Sequence, residues 1–118
     1  MTEIRLRDGV DVRNYEVATG SGALAESTTY PGAFELEEVR IHVGVAAASA
    51  ENLTVTIDAA AGAAYDTLIK TIAMAGVENY VWAPDKTCLL KAGDQIDIAW
   101  TNTDARTWGL TYVYRRIG

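Results

Sequence analysis

Apolar and polar residues alternate along most of the chain after Gly32, as in strands that bury one face and expose the other. The alternation is clearest at 39–45, 53–57, 96–100 and 108–114. Nearer the N-terminus, the apolar residues change from even to odd positions at Glu37-Glu38, a shift of the apolar phase by one residue. This shift predicts either a β-bulge, which adds one residue to a strand, or the junction of two strands.

The segment 65–76 fits two patterns, because its apolar residues have helical spacing and fit a strand less cleanly. We predict a strand here, since the neighbouring segments are strands. The preceding Ala-rich stretch 59–64 is too short for a stable helix and contains a glycine, which indicates a connection.

Short alternating segments separated by turn-forming residues predict an all-β protein, an antiparallel β-sandwich. We favour a jelly-roll-like arrangement over an immunoglobulin-like one, because the cysteine pair typical of immunoglobulin domains cannot form from Cys88 alone. The apolar phase predicts a core that contains Phe34, Val39, Ile41, Val43, Leu53, Val55, Ile57, Ile96, Ile98 and Trp100.

The first part of the chain differs from the rest. Two short alternating stretches, 4–7 and 10–13, flank an Asp-Gly pair that suits a tight hairpin turn. The following stretch 19–32 is rich in Gly, Ser and Thr, which is typical of a flexible or extended connector. We therefore expect an N-terminal hairpin or arm with its connector at 1–32 and a β-sandwich domain at 33–118.

Sixteen acidic and ten basic residues give a formal net charge of −6, which opposes nucleic-acid binding. The densest basic feature, Arg115-Arg116, fits a solvated chain end or a local salt-bridge donor. The uncharged runs are too short to span a bilayer, so we expect no membrane partner. Cys88 has no second cysteine to pair with, and a reducing compartment such as the cytoplasm fits.

Candidate chemistry is sparse, and we expect that the protein is not an enzyme and needs no cofactor. The single histidine, His42, lies in a predicted strand on the polar face, where a solvent-facing role is favoured. Asp94 and Asp97 stand at a strand entry without the spacing of an EF-hand, so a structural calcium ion is the less favoured reading.

Aromatic residues are concentrated in the second half of the chain. Such residues can stack on sugar rings, and a glycan-binding sandwich is one interpretation. A core position is favoured for Trp100 and Trp108, because both alternate with polar residues on predicted strands.

The region from about 39 to 115 resembles a pattern found in small β-sandwich proteins of tailed bacteriophages, the decoration (cement or head auxiliary) proteins. The resemblance rests on LTVTID at 53–58, YDTL at 65–68, YVWAP at 80–84, GDQI at 93–96, NTD at 102–104 and WGL at 108–110. It implies a structural protein of the virion, assembled in the host cytoplasm, that binds and stabilises the phage head. It also implies a homo-oligomer, with a trimer favoured, and no active site.

The expected partner is the major capsid protein or another virion protein. The alternative is a glycan- or receptor-binding β-sandwich module of a phage tail or fibre. The residues expected to bind the partner are Arg5, Arg7, Arg13 and Tyr15. Their arginines are suited to meet acidic groups on a partner, and the chain uses Arg more often than Lys, as interfaces do.

Overall fold

The three-dimensional structure is a computed structural model that describes residues 13–117. Its strands are β1 (Arg13–Gly20), β2 (Leu24–Thr29), β3 (Phe34–Val43), β4 (Asn52–Asp58), β5 (Thr67–Ala73), β6 (Asn79–Trp82), β7 (Cys88–Leu90), β8 (Gln95–Trp100) and β9 (Trp108–Arg116). One short 3₁₀ helix, Ala63–Tyr65, precedes β5, and no α-helix occurs in the described range.

The strands form two antiparallel sheets that pack face to face. Sheet A has the order β1-β9-β3-β6, and the short strand β7 also pairs with β3. Sheet B has the order β2-β8-β4-β5. The chain crosses from one sheet to the other at most of its connections, which gives the strand order of a jelly roll. The predicted all-β sandwich is confirmed.

The core lies between the two sheets and is built from the predicted apolar phase. Nine of the ten residues expected there are at most 2% exposed, and Ile57, near the end of β4, is partly buried against them. Trp100 and Trp108 are also in the core, at 2% and 5% exposure. Their burial confirms the core interpretation of these two tryptophans and removes them from any sugar-stacking surface.

Two local predictions are confirmed in the strands. The register of β3 against β9 shifts between Leu36 and Glu38, so Glu37 is the extra residue of a β-bulge. The ambiguous segment 65–76 contains the strand β5, which pairs with β4 and has its own register shift opposite Val55 and Thr56.

The prediction of a flexible or extended connector over 19–32 is wrong for most of this stretch. Residues Leu24–Thr29 form β2, which pairs with β8 over its whole length, and Leu24 is 1% exposed in the core. Thr28 also hydrogen-bonds the hydroxyl of Tyr112 across the two sheets. Ala25, Ser27 and Thr29 face solvent from this edge strand, which is why the composition resembles that of a loop. The hairpin predicted around the Asp-Gly pair lies outside the described residues.

The sheets also include part of the predicted N-terminal arm. Residues Arg13–Gly20 form β1, which pairs with β9 from Arg13 opposite Arg115 to Gly20 opposite Trp108. The predicted domain boundary at 32 therefore does not divide the described residues into an arm and a sandwich. Both strands before it are part of the sandwich, because β1 belongs to sheet A and β2 to sheet B.

Candidate interaction surface

The solvent-facing side of sheet A, called here the outer face, carries a concentration of charged and exposed apolar side chains. Side chains alternate along each strand, so residues opposite one another in register share a face. Pairing in register identifies its members as Arg13, Tyr15 and Val17 on β1, Thr111, Val113 and Arg115 on β9, Glu35, Glu38, Arg40 and His42 on β3, Val81 on β6 and Leu89 on β7.

The β-bulge adds Glu37 to this outer face, where it links two arginines from different strands. Arg13 donates from Nε to Glu37 Oε1 at 2.6 Å, and Arg115 donates from Nε to Glu37 Oε2 at 3.2 Å. Arg115 also donates from Nη2 to Glu35 Oε1 at 2.6 Å. This bond to Glu35 raises the pKa of the Arg115 guanidinium. The result is a chain of ion pairs across β1, β9 and β3.

Tyr15 stands beside this chain as a large exposed aromatic side chain. It is 60% exposed, and its cross-strand neighbour Val113 is 4% exposed despite facing outwards. The guanidinium carbon of Arg40 lies 6.0 Å from the centroid of the Tyr15 ring, within cation–π range. Arg40 is also ion-paired with Glu38. These contacts join Tyr15, Arg40 and Glu38 into one group on the outer face.

Three further apolar side chains of the outer face are left largely in solvent. Val17, Val81 and Leu89 are 74%, 64% and 63% exposed. The solvent side of sheet B has small residues such as Ala99, Thr54 and Thr71 along its strands, together with Asp97 and the exposed Leu68. Arg and Tyr are enriched at protein interfaces, which makes the outer face the candidate contact surface among the described residues.

An open recess of about 510 Å³ lies on the outer face and is lined by parts of β1 and β3 and by the loop 84–87. Arg13, Tyr15, Glu37 and Arg40 all contribute to its wall. Charges of both signs therefore surround this recess.

Two of the four predicted partner-binding residues are brought together here. Arg13 and Tyr15 lie two positions apart on the outer side of β1. Arg13 does meet an acidic group, but that group is Glu37 of its own chain. Arg5 and Arg7 lie outside the described residues, and contact of all four residues with a partner stays a prediction.

Sequence reasoning did not name Glu37, Arg40 or Arg115 among the partner-binding residues, although all three belong to this surface. The phase shift at Glu37 is visible in the sequence. The ion pair that it allows between Glu37 and Arg115 is not, because the two residues are 78 positions apart in the chain. Arg115 is a salt-bridge donor, but its partners Glu37 and Glu35 are 78 and 80 positions away in the chain and not local.

The remaining candidate groups have local structural roles. His42 is exposed, and its Nδ1 lies 2.8 Å from Asn79 Oδ1. Asp94 is 8% exposed and accepts hydrogen bonds from the backbone N–H groups of Ala60 and Lys91, both at 2.9 Å. Among residues 13–117 no group of three His, Cys, Asp or Glu is arranged to hold a metal ion. Within the same range, no helix has the length and apolarity to cross a membrane.

Cys88 is partly buried, and we expect it to react slowly with thiol reagents. Desolvation, with a smaller contribution from Glu35, raises the pKa of the Cys88 thiol and so lowers its thiolate fraction. Labelling with a chromogenic disulfide at pH 8 should therefore be slower in the folded chain than in the chain unfolded in urea. Equal rates in both states would contradict this prediction.

Comparisons with known proteins assign no family. No family model matches the chain, and no curated protein sequence matches it. One similar solved structure is the nucleoplasmin-like N-terminal domain of Drosophila FKBP39, at 12% identity over 91% of this chain and 93% of that chain, with a TM-score of 0.44. Another is PirA, at 17% identity over 92% of this chain and 99% of that chain, with a TM-score of 0.47. Similarities of this size establish neither a relative nor a function.

Proposed function

We propose that the protein is a structural component of a virus particle, a capsid decoration (cement) protein of a tailed bacteriophage. It binds the major capsid protein or another virion protein and stabilises the head, acting by contact without catalysis. It works as a homo-oligomer, a trimer, and resides in the virion after assembly in the host cytoplasm. The sequence resemblance over about 39–115 supports this function, and the outer face is the observation that carries it.

The outer face is nearly neutral within an acidic protein. Arg13, Arg40 and Arg115 balance Glu35, Glu37 and Glu38, whereas the whole chain has a net charge of −6. Copies that crowd together on a particle repel one another through their net charge, and this face lets a protein partner approach without that repulsion. An anionic partner, such as nucleic acid, finds no excess of positive charge there.

The ion pairs themselves add little binding energy, because exposed salt bridges contribute about 0–1 kcal/mol each. Their value for binding is that they fix the positions of Tyr15 and the surrounding side chains, so less conformational entropy is lost on docking. Weak contacts of this kind become effective when many copies, or several subunits of one oligomer, engage a repeating lattice.

The location of the protein tests this function directly. Mass spectrometry of purified particles of the phage that encodes the chain should detect it in many copies, and antibody labelling in the electron microscope should decorate the head. Labelling confined to the tail, together with binding of the purified protein to a glycan array, would favour the alternative receptor-binding module. Absence from the particle would overturn both.

Replacing Tyr15 with Ala is expected to weaken binding to particles that lack the protein by about tenfold or more, since truncating an aromatic hot-spot residue costs upwards of about 1–2 kcal/mol. Tyr65 provides a matched control, because it is 66% exposed and lies outside the outer face, at the end of the 3₁₀ helix. Sedimentation of labelled protein with particles measures both variants. Equal binding by the Tyr15→Ala variant and the parent chain would rule out this face as the contact.

A further inference from the structure

The outermost strands of both sheets have inward charges or are short, and both features limit how other chains can pair with them. In the described residues, β1 and β2 border the two sheets on one side of the sandwich, while β5 borders sheet B and β6 with β7 borders sheet A on the other. An edge strand has unpaired backbone groups that can accept a strand from another chain. Charged side chains that point inwards on an edge strand prevent this pairing.

Such charges are present on both strands of the first side. Glu16 of β1 lies opposite Tyr112, and Glu26 of β2 lies opposite Ile98, so both glutamates are on the inner side of their strands. The hydroxyl of Tyr114 donates to Glu16 Oε2 at 3.4 Å. A strand added outside β1 or β2 would cover these carboxylates and remove water from them, which is costly without a paired cation.

The opposite side of the sandwich carries an inward lysine, a register shift and short edge strands. Lys70 of β5 lies opposite the fully buried Val55, and its Nζ is 5.9 Å from the centroid of the Tyr80 ring. A register shift beside Val55 also disturbs the pairing of β5 with β4. The edge of sheet A is divided between β6, with four residues, and β7, with three. Short edge strands offer too few unpaired groups for stable addition.

We infer that all four sheet edges in the described part of the chain are closed to strand addition, and that the protein meets its neighbours through sheet faces. The outer face is the contact face, and the partner it fits is the folded surface of another protein, whereas an extended peptide that adds as a strand is excluded. The choice of the outer face rests on the proposed function. The closure of the edges does not depend on it.

Replacing both Glu16 and Glu26 with Val tests the closure of the edges. This double variant removes the inward charges and leaves apolar side chains on the inner side of β1 and β2. We expect its mass in light scattering to rise with concentration to at least twice that of the parent chain. Hydrogen exchange should show new protection in β1 and β2 as the mass increases, because strand addition pairs the outward amides.

A matched control changes the same number of charges outside the strands. Asp66 and Glu78 are exposed and lie in loops away from the outer face, so the variant with Val at both positions loses two carboxylates and gains two valines without opening an edge. It should keep the mass of the parent chain. Lys70→Val is a second edge-opening variant on the opposite side and should behave like the Glu16/Glu26 variant.

The inference is overturned if both edge-opening variants fold, as judged by circular dichroism, and keep the mass of the control. It is also overturned if the parent chain already gains amide protection in β1 or β2 when it associates. Neither result depends on where the protein resides. A parent chain that is missing from phage particles would therefore refute the proposed function and leave the closure of the edges standing.

Discussion

Replacing Ile98 with Asp is expected to abolish cooperative folding. Ile98 is 1% exposed at the centre of β8, with Val55 of β4 opposite it on one side and Glu26 of β2 on the other. An aspartate here must either bury an unpaired charge or take up a proton, and it also removes a large apolar side chain from the core. The combined cost is several kcal/mol, comparable with the whole stability of about 5–15 kcal/mol that is usual for a domain.

The neighbouring residue provides the control for this change. Ala99 is exposed on the solvent side of β8, so Ala99→Asp introduces the same carboxylate one position away without burying it. Thermal unfolding followed by circular dichroism should show a cooperative transition for Ala99→Asp and none for Ile98→Asp. A soluble Ile98→Asp variant with a cooperative transition would show that the orientation of β8 is wrong.

The second large effect is expected at Asn102, whose side chain joins the β1–β2 loop to the β8–β9 loop at one end of the sandwich. Its side chain is 3% exposed, and Nδ2 donates to the carbonyl oxygens of Gly22 and Arg106, both at 2.9 Å. Its Oδ1 accepts the backbone N–H of Arg106 at 3.0 Å. Asn102 also has a φ of 49°, a left-handed conformation that asparagine tolerates better than most residues.

Asn102→Ala should therefore lower the free energy of unfolding by about 2–4 kcal/mol, because buried backbone groups lose their partners and alanine is strained at a left-handed φ. Asn102→Gly separates the two causes, since glycine accepts the conformation and removes only the hydrogen bonds. Urea unfolding should rank the parent chain first, the Gly variant second and the Ala variant last. An Ala variant as stable as the parent would refute the role of this side chain.

The strands and most of the core follow from the sequence because they depend on local periodicity. Alternation with period two determines which residues of β3, β4 and β8 face inwards, and burial of a single side chain such as Val55 or Ile98 is a direct consequence. The same reasoning located the β-bulge, since one extra residue reverses the phase. It failed for β2, where the residues after Leu24 are small or polar and carry little apolar periodicity.

The candidate surface needed the tertiary structure, because its members are far apart in the chain. Arg13 and Glu37 are 24 positions apart, and Glu35 and Arg115 are 80 positions apart. Which strands become neighbours is decided by the packing of two whole sheets, and alternation within a strand carries no information about its partner. The sequence by itself determined an all-β sandwich and the inward side of its main strands. Only the pairing of β1, β9 and β3 decided that two arginines and two glutamates would form one connected surface.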